Sequence, residues 1–179
     1  MARFFLIFFL IFVLAGVWFL FVIFDGDESE GRLAAWSLTD HSPEKILEKF
    51  YSYGGAEDQL KDPLILGGSK VIPLLIVSVR NREMPRRRYA ISFLGQSNAI
   101  QALPLLEQLA TSSDEDDYIR FDSLEAVYSI DQSRGMELAG RTLIDNSALK
   151  SLLVQMQEGT FEAESNDRSW VAAFLAWHD

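Results

Sequence analysis

The sequence predicts an all-α chain: short amphipathic helices folded back as antiparallel pairs, preceded by one membrane-spanning helix. Three observations predict it. After residue 41, apolar residues recur at spacings of three and four. No segment keeps the alternation of a half-buried strand. Phe4 to Phe24 is a run of 21 residues without a charged side chain.

As a helix that run rises about 31 Å, matching a hydrocarbon core of about 30 Å. Phe fills much of it, and Trp18 lies near the far end, where an amphipathic ring reaches the headgroups. A cleaved signal peptide is the alternative. It would have a shorter apolar region and a small-x-small cleavage site. Here Ala15-Gly16-Val17 lies mid-run and ends in a bulky residue, so residues 1–24 read as an uncleaved anchor. Arg3 on one flank and Asp25, Asp27, Glu28 and Glu30 on the other favour an N-in, C-out orientation. The expected location is therefore single-pass in a bacterial inner membrane, with the carboxy-terminal domain in the periplasm.

Residues 25–41 read as a juxtamembrane linker and 42–179 as the helical domain. Ser42 is a capping residue, and Pro43 suits the first helical position, where a missing N–H costs nothing. Ile46, Leu47, Phe50 and Tyr51 form the apolar stripe that follows, and Gly54-Gly55 ends it. Val71 to Val79 is rich in β-branched residues, but a lone strand has no partner, so it reads as a buried helix. Arg86 to Leu94 stops at Gly95. Ala99 to Leu109 follows, then a polar loop from Thr111 to Asp116. Further segments centre on Leu124 and Val127, on Leu138 and Ala139 after Gly135, and on Leu152 and Met156. Trp170, Phe174 and Trp177 close the chain as an aromatic plug over the last pair. Eight or nine short helices are expected after the anchor.

Segments about 33 residues apart match each other. Arg87 to Leu94 aligns with Arg120 to Val127, placing the small residues Ala90 and Ser123 at equivalent close contacts. Val71-Ile72-Pro73-Leu74-Leu75 aligns with Ala102-Leu103-Pro104-Leu105-Leu106 at an offset of 31. Proline is tolerated only near a helix start, so Pro73 and Pro104 mark the first turns of second helices.

On these residues the chain resembles the HEAT-like repeat family in its short bacterial form. The resemblance rests on Arg86 to Gly95 followed by Leu103-Pro104-Leu105-Leu106, and extends more loosely over 67–145. The second copy lacks the Leu-Gly ending and the Pro. A tetratricopeptide-like array and an ordinary helical bundle are the competing readings. The resemblance implies a short α-solenoid and, from scaffolds and adaptors in the family, protein binding.

Composition narrows the chemistry. The net charge is -10, which disfavours a nucleic-acid partner. There is no cysteine, so disulfides, thiolate metal sites and a thiol nucleophile are excluded. His41 and His178 lie outside any metal-ligand spacing, and Gly67-Gly68-Ser69-Lys70 lacks the strand and spacing of a phosphate loop. No cofactor or metal is expected. Two charge clusters stand out. Arg86-Arg87-Arg88 begins a helix against the dipole, so pairing with acids between repeats is expected, with Arg87 and Arg120 as a ladder. Asp114 to Asp117 precedes a helix, where acids are favourable. Beyond these structural roles, Arg86, Arg88, Gln101, Gln108, Asp114 and Asp116 are the candidate partner-binding residues. The expected function is a membrane-anchored protein-interaction module, an accessory or assembly subunit binding the bilayer through 4–24 and other membrane or periplasmic proteins. The alternative is an enzyme using Glu83, Asp117 or Asp122 in the groove.

Overall fold

The computed structural model describes residues 13, 14, 16, 41–163 and 169–177. From residue 41 onward these form nine α-helices: α1 (Pro43–Ser52), α2 (Asp62–Gly67), α3 (Ile72–Ser78), α4 (Arg87–Gln96), α5 (Leu103–Thr111), α6 (Asp117–Ile130), α7 (Gln132–Ala139), α8 (Ser147–Glu158) and α9 (Trp170–Trp177). The described residues include no strand.

The local chemistry of the starts is uniform. Ser42 Oγ accepts the Lys45 N–H at 3.3 Å, and Asp116 accepts the Ile119 N–H at 2.9 Å. Asp131 accepts from Arg134 at 3.0 Å, and Asn146 from Ala148 at 3.0 Å. Pro43, Pro63, Pro73 and Pro104 each lie in the first turn of a helix, where proline removes no intrahelical bond. α8 ends at Gly159, whose φ of 70° is the left-handed value that favours glycine.

Helix α6 is the centre of the packing, touching α4, α5, α7 and α8. Its Leu124 and Val127 are fully buried, with Phe121, Ala126 and Tyr128 close behind. Phe161, beyond α8, stands edge-on to both Phe121 and Tyr128, with ring centroids 6.2 and 5.5 Å apart. Ala90 and Ser123 are both fully buried, as the repeat alignment expects. The Ser123 hydroxyl has no hydrogen-bond partner, so the small side chain at that contact matters for its size rather than its polarity.

Two glycines set the helix spacing. A Cβ on Gly95 would stand 2.6 Å from Ala126 Cα, and one on Gly135 would stand 2.5 Å from Tyr128 Cα. Both glycines lie inside helices, where the sequence pattern suggested breaks. Helix α4 continues to Gln96, and α7 starts at Gln132, one residue after α6 ends.

α2 departs furthest from the expected pattern. All six of its residues are buried, including Leu64 and Leu66 at 0% exposure. A helix covered on every side shows no amphipathic period, so its signal is confined to Asp62-Pro63 before Leu64-Ile65-Leu66. The cover comes from α1, α4 and the carboxy-terminal α9. The expected plug over the last pair is corrected: α9 lies on α2, with Trp170 and Ala173 buried, and Phe161 covers α6 instead.

The membrane topology is also corrected. Among the described residues no helix is long and apolar enough to cross a membrane. The longest, α6, has 14 residues and rises about 21 Å, well short of a hydrocarbon core. Among the described residues the all-α class with stacked helix pairs stands, and the expected transmembrane helix is not found. The expected single-pass location, periplasmic placement, and bilayer and membrane-protein partners therefore find no support among the described residues. The run 4–24 lies outside the described residues apart from Val13, Leu14 and Gly16.

Replacing Gly135 or Gly95 by Ala should cost about 1–3 kcal/mol, because the neighbour that must yield is backbone. Gly54 has nothing within 4 Å of its added Cβ and serves as the control. Thermal melts of the three variants check this; equal melting of Gly135→Ala and Gly54→Ala would remove the close-approach argument.

Candidate functional site

The densest polar chemistry gathers at the start of α4. Pro85 precedes it, and Arg86, Arg87 and Arg88 leave the chain in three directions. Arg86 has φ 56°, a left-handed value that costs a side chain with a Cβ about 1–2 kcal/mol. Its guanidinium reaches the carboxy-terminal end of α1, donating to Phe50 O at 2.7 Å and to Tyr53 O. A cation on those carbonyls complements the helix dipole and satisfies acceptors that α1 leaves open.

Arg87 turns inward and is only 6% exposed. Nε donates to Val79 O at 2.7 Å, while Nη1 and Nη2 fork onto the Glu115 carboxylate at 2.7 and 2.8 Å. Arg82 approaches the same carboxylate at 3.6 Å. Hydrogen bonding from Arg87 holds the Glu115 carboxyl below the usual carboxylate range, and the charges of Arg87 and Arg82 add to it. Arg88 lies outward: Nε and Nη2 fork onto Asp122 at 2.5 and 2.9 Å, and its guanidinium stacks 4.7 Å from the Tyr118 ring centre. The hydrogen bond to Asp122 holds this guanidinium charged more firmly than usual.

A second junction lies one helix pair on. Asp117 pairs with Arg120 and accepts the Asn146 N–H at 2.7 Å and the Asp145 N–H at 2.9 Å. Those backbone donors, that of Asn146 foremost, lower its pKa, with Arg120 contributing. The expected Arg87–Arg120 ladder is thus corrected: Arg87 crosses between helices, but Arg120 pairs within its own helix. Arg87 itself spans 28 residues to Glu115, whereas Arg120 steadies Asp117, and the carboxylate makes the span. Other links repeat at similar separations: Tyr89 OH donates to Glu57 across 32 residues, and Lys61 Nζ donates to Ser92 across 31.

Of the predicted partner-binding residues, Arg86, Arg88, Asp114 and Asp116 belong to this junction and its acidic loop. Asp114 makes a loose surface pair with Arg82 at 3.5 Å, and Asp116 caps α6. Gln101 and Gln108 are exposed on the turn before α5 and on α5. Sequence reasoning passed over Tyr118 as a surface group and Asn146 as a cap. Their signal is their separation from Arg88 and Tyr118, close to one repeat.

The enzymatic alternative finds no site here. Asp122 and Asp117 are engaged as described, and Glu83 is exposed. A cleft between α4 and α6, lined by Ser92, Gln96, Glu125, Ala126 and Ser129, has a volume of about 10 Å³, enough for about one water. Among the described residues no group of three or more His, Asp or Glu side chains is placed to hold a metal ion.

Arg87→Ala should destabilise the domain by about 3–5 kcal/mol, because the Glu115 side chain, 8% exposed, would keep only the longer 3.6 Å contact with Arg82. Arg86→Ala should cost less, about 1–2 kcal/mol, since only the part-buried carbonyl contacts are lost and the backbone cost, common to any residue with a Cβ, is unchanged. Chemical denaturation of both variants measures the difference. The Glu115 carboxyl has its pKa lowered on folding, so its contribution is complete above the unfolded value, about 4.3. It is lost as pH falls through the lower, folded value. Parent stability should therefore decline below about pH 4, and more steeply than that of Glu115→Gln; parallel declines would exclude Glu115 from the acid response.

No family model, curated protein or solved structure matches the chain. The HEAT-like resemblance is therefore corrected: the short Arg and Leu-Pro patterns that suggested it reflect helix starts and inter-helix pairing in a small all-α domain of stacked helix pairs. The expected membrane-anchored accessory subunit loses both supports, the family and the spanning helix.

Proposed function

We propose that this domain is a non-catalytic binding module whose partner is a cationic polypeptide segment. One observation carries the reading: among the described arginines all but the exposed Arg80 are turned onto the domain's own groups, while acids remain on the surface. Arg82, Arg86, Arg87, Arg88, Arg120, Arg134 and Arg141 all bond within the chain. Glu83, Asp116, Asp145, Glu158 and Glu162 are exposed, in a chain of net charge -10. Such a field repels nucleic acid and steers basic chains toward contact. Its effect weakens as salt shortens the Debye length.

Selection of peptides against the full chain tests this. Lys- and Arg-rich sequences should be enriched, with affinity falling several-fold between about 0.05 and 0.5 M salt. Enrichment of neutral or acidic sequences, or salt-independent binding, would overturn the proposal.

A further inference from the structure

Resting on that reading, we infer that the cationic segment docks on Tyr118, at the amino-terminal end of α6, with Asp116 and Asp145 as its charge partners. Tyr118 is a large aromatic residue left 46% exposed. It is nevertheless held in place. The Arg88 guanidinium stacks on the ring at 4.7 Å, and Asn146 Nδ2 lies 3.5 Å from its hydroxyl. An immobilised aromatic contributes contact area with little ordering cost at the moment of binding, which is why tyrosine is frequent at binding centres.

The occupant follows from charge. Arg88 is already neutralised by its fork onto Asp122, so it supports the ring without repelling a second cation. Asp116 lies two residues before Tyr118 and caps the same helix, its Oδ1 accepting the Ile119 N–H. Asp145 is adjacent because its N–H bonds to Asp117, the neighbour of Tyr118. Both carboxylates are exposed. An exposed tyrosine with two exposed acidic residues close by in the chain and the fold fits a guanidinium or ammonium group: the ring supplies apolar and cation–π contact and the acids supply charge. A neutral apolar segment would leave the carboxylates unmatched, and an anionic one would be repelled.

The test measures fluorescence anisotropy of a labelled decapeptide of alternating Arg and Ser with the full chain at low salt; a Glu-Ser decapeptide is the control. Tyr118→Ala should weaken binding about three- to ten-fold, while Tyr118→Phe, which keeps the ring, should bind like the parent. Asp116→Asn retains helix capping but removes the charge, so it and Asp145→Asn should each weaken binding without lowering the melting temperature. If Tyr118→Ala fails to fold, these two substitutions decide the matter. Glu158→Gln and Glu162→Gln should leave affinity nearly unchanged. Equal losses from all four acid substitutions, or an undiminished affinity in Tyr118→Ala, would overturn the docking site but leave the cationic-partner reading standing. Failure of the parent chain to bind the Arg-Ser peptide would overturn both.

Discussion

The close approach of α4 and α7 to α6 governs everything else in the domain. Gly95 lies against Ala126 and Gly135 against Tyr128 at distances that no Cβ permits. Helices brought this near leave little room for long side chains in the seam, which accounts for Ala90, Ser123 and Ala126 along it. Long polar side chains are displaced to the ends and edges, where they become cross-links. The bidentate contacts of Arg87 with Glu115 and Arg88 with Asp122 depend on α6 standing at that separation. A wider gap would turn short, charge-assisted forks into solvent-separated pairs of small value.

The three adjacent arginines show how one sequence feature serves three physical needs. Arg86 accepts an unfavourable backbone conformation and supplies the cation that α1 needs at its end. Arg87 replaces its hydration with a backbone carbonyl and a carboxylate, the combination that makes burial of a guanidinium tolerable. Arg88 remains near water and orders a neighbouring ring. Because these cations are satisfied internally, the electrostatic character presented outward is set by the acids. The acidic outer field is therefore a by-product of how most of the arginines are neutralised.

Much of the helical pattern was legible because caps and prolines act locally. Ser42, Pro43, Pro73, Pro104 and Asp116 mark helix starts through groups within one turn, so no tertiary knowledge is required. The β-branched run from Leu74 to Val79 is helical as expected, because a strand needs a partner that the sequence does not offer, but it is covered on one face only, with Leu75 and Val79 buried and Val77 65% exposed. What remained hidden depends on distant contacts. Gly95 and Gly135 look like breaks unless the opposing helix is known. α2 shows no period because it is apolar on every side. The destinations of Arg86, Arg87 and Arg88 lie across helix boundaries, so a triple-arginine cluster suggested a binding surface as readily as a set of internal links. The Arg and Leu-Pro spacings likewise suggested a family that the chain does not match.

The contact between α9 and α2 has a consequence for synthesis. A chain leaves the ribosome amino end first, so α2 emerges more than one hundred residues before the helix that covers it. During that interval Leu64, Ile65 and Leu66 lack one of their three walls, and a six-residue helix has little stability of its own. Stacking of α4, α5 and α6 involves nearer neighbours and does not wait for the carboxy terminus. The native state is therefore sealed by its last-made element, and a chain stalled before Trp170 would present an apolar seam to the cellular machinery that detects unfinished proteins.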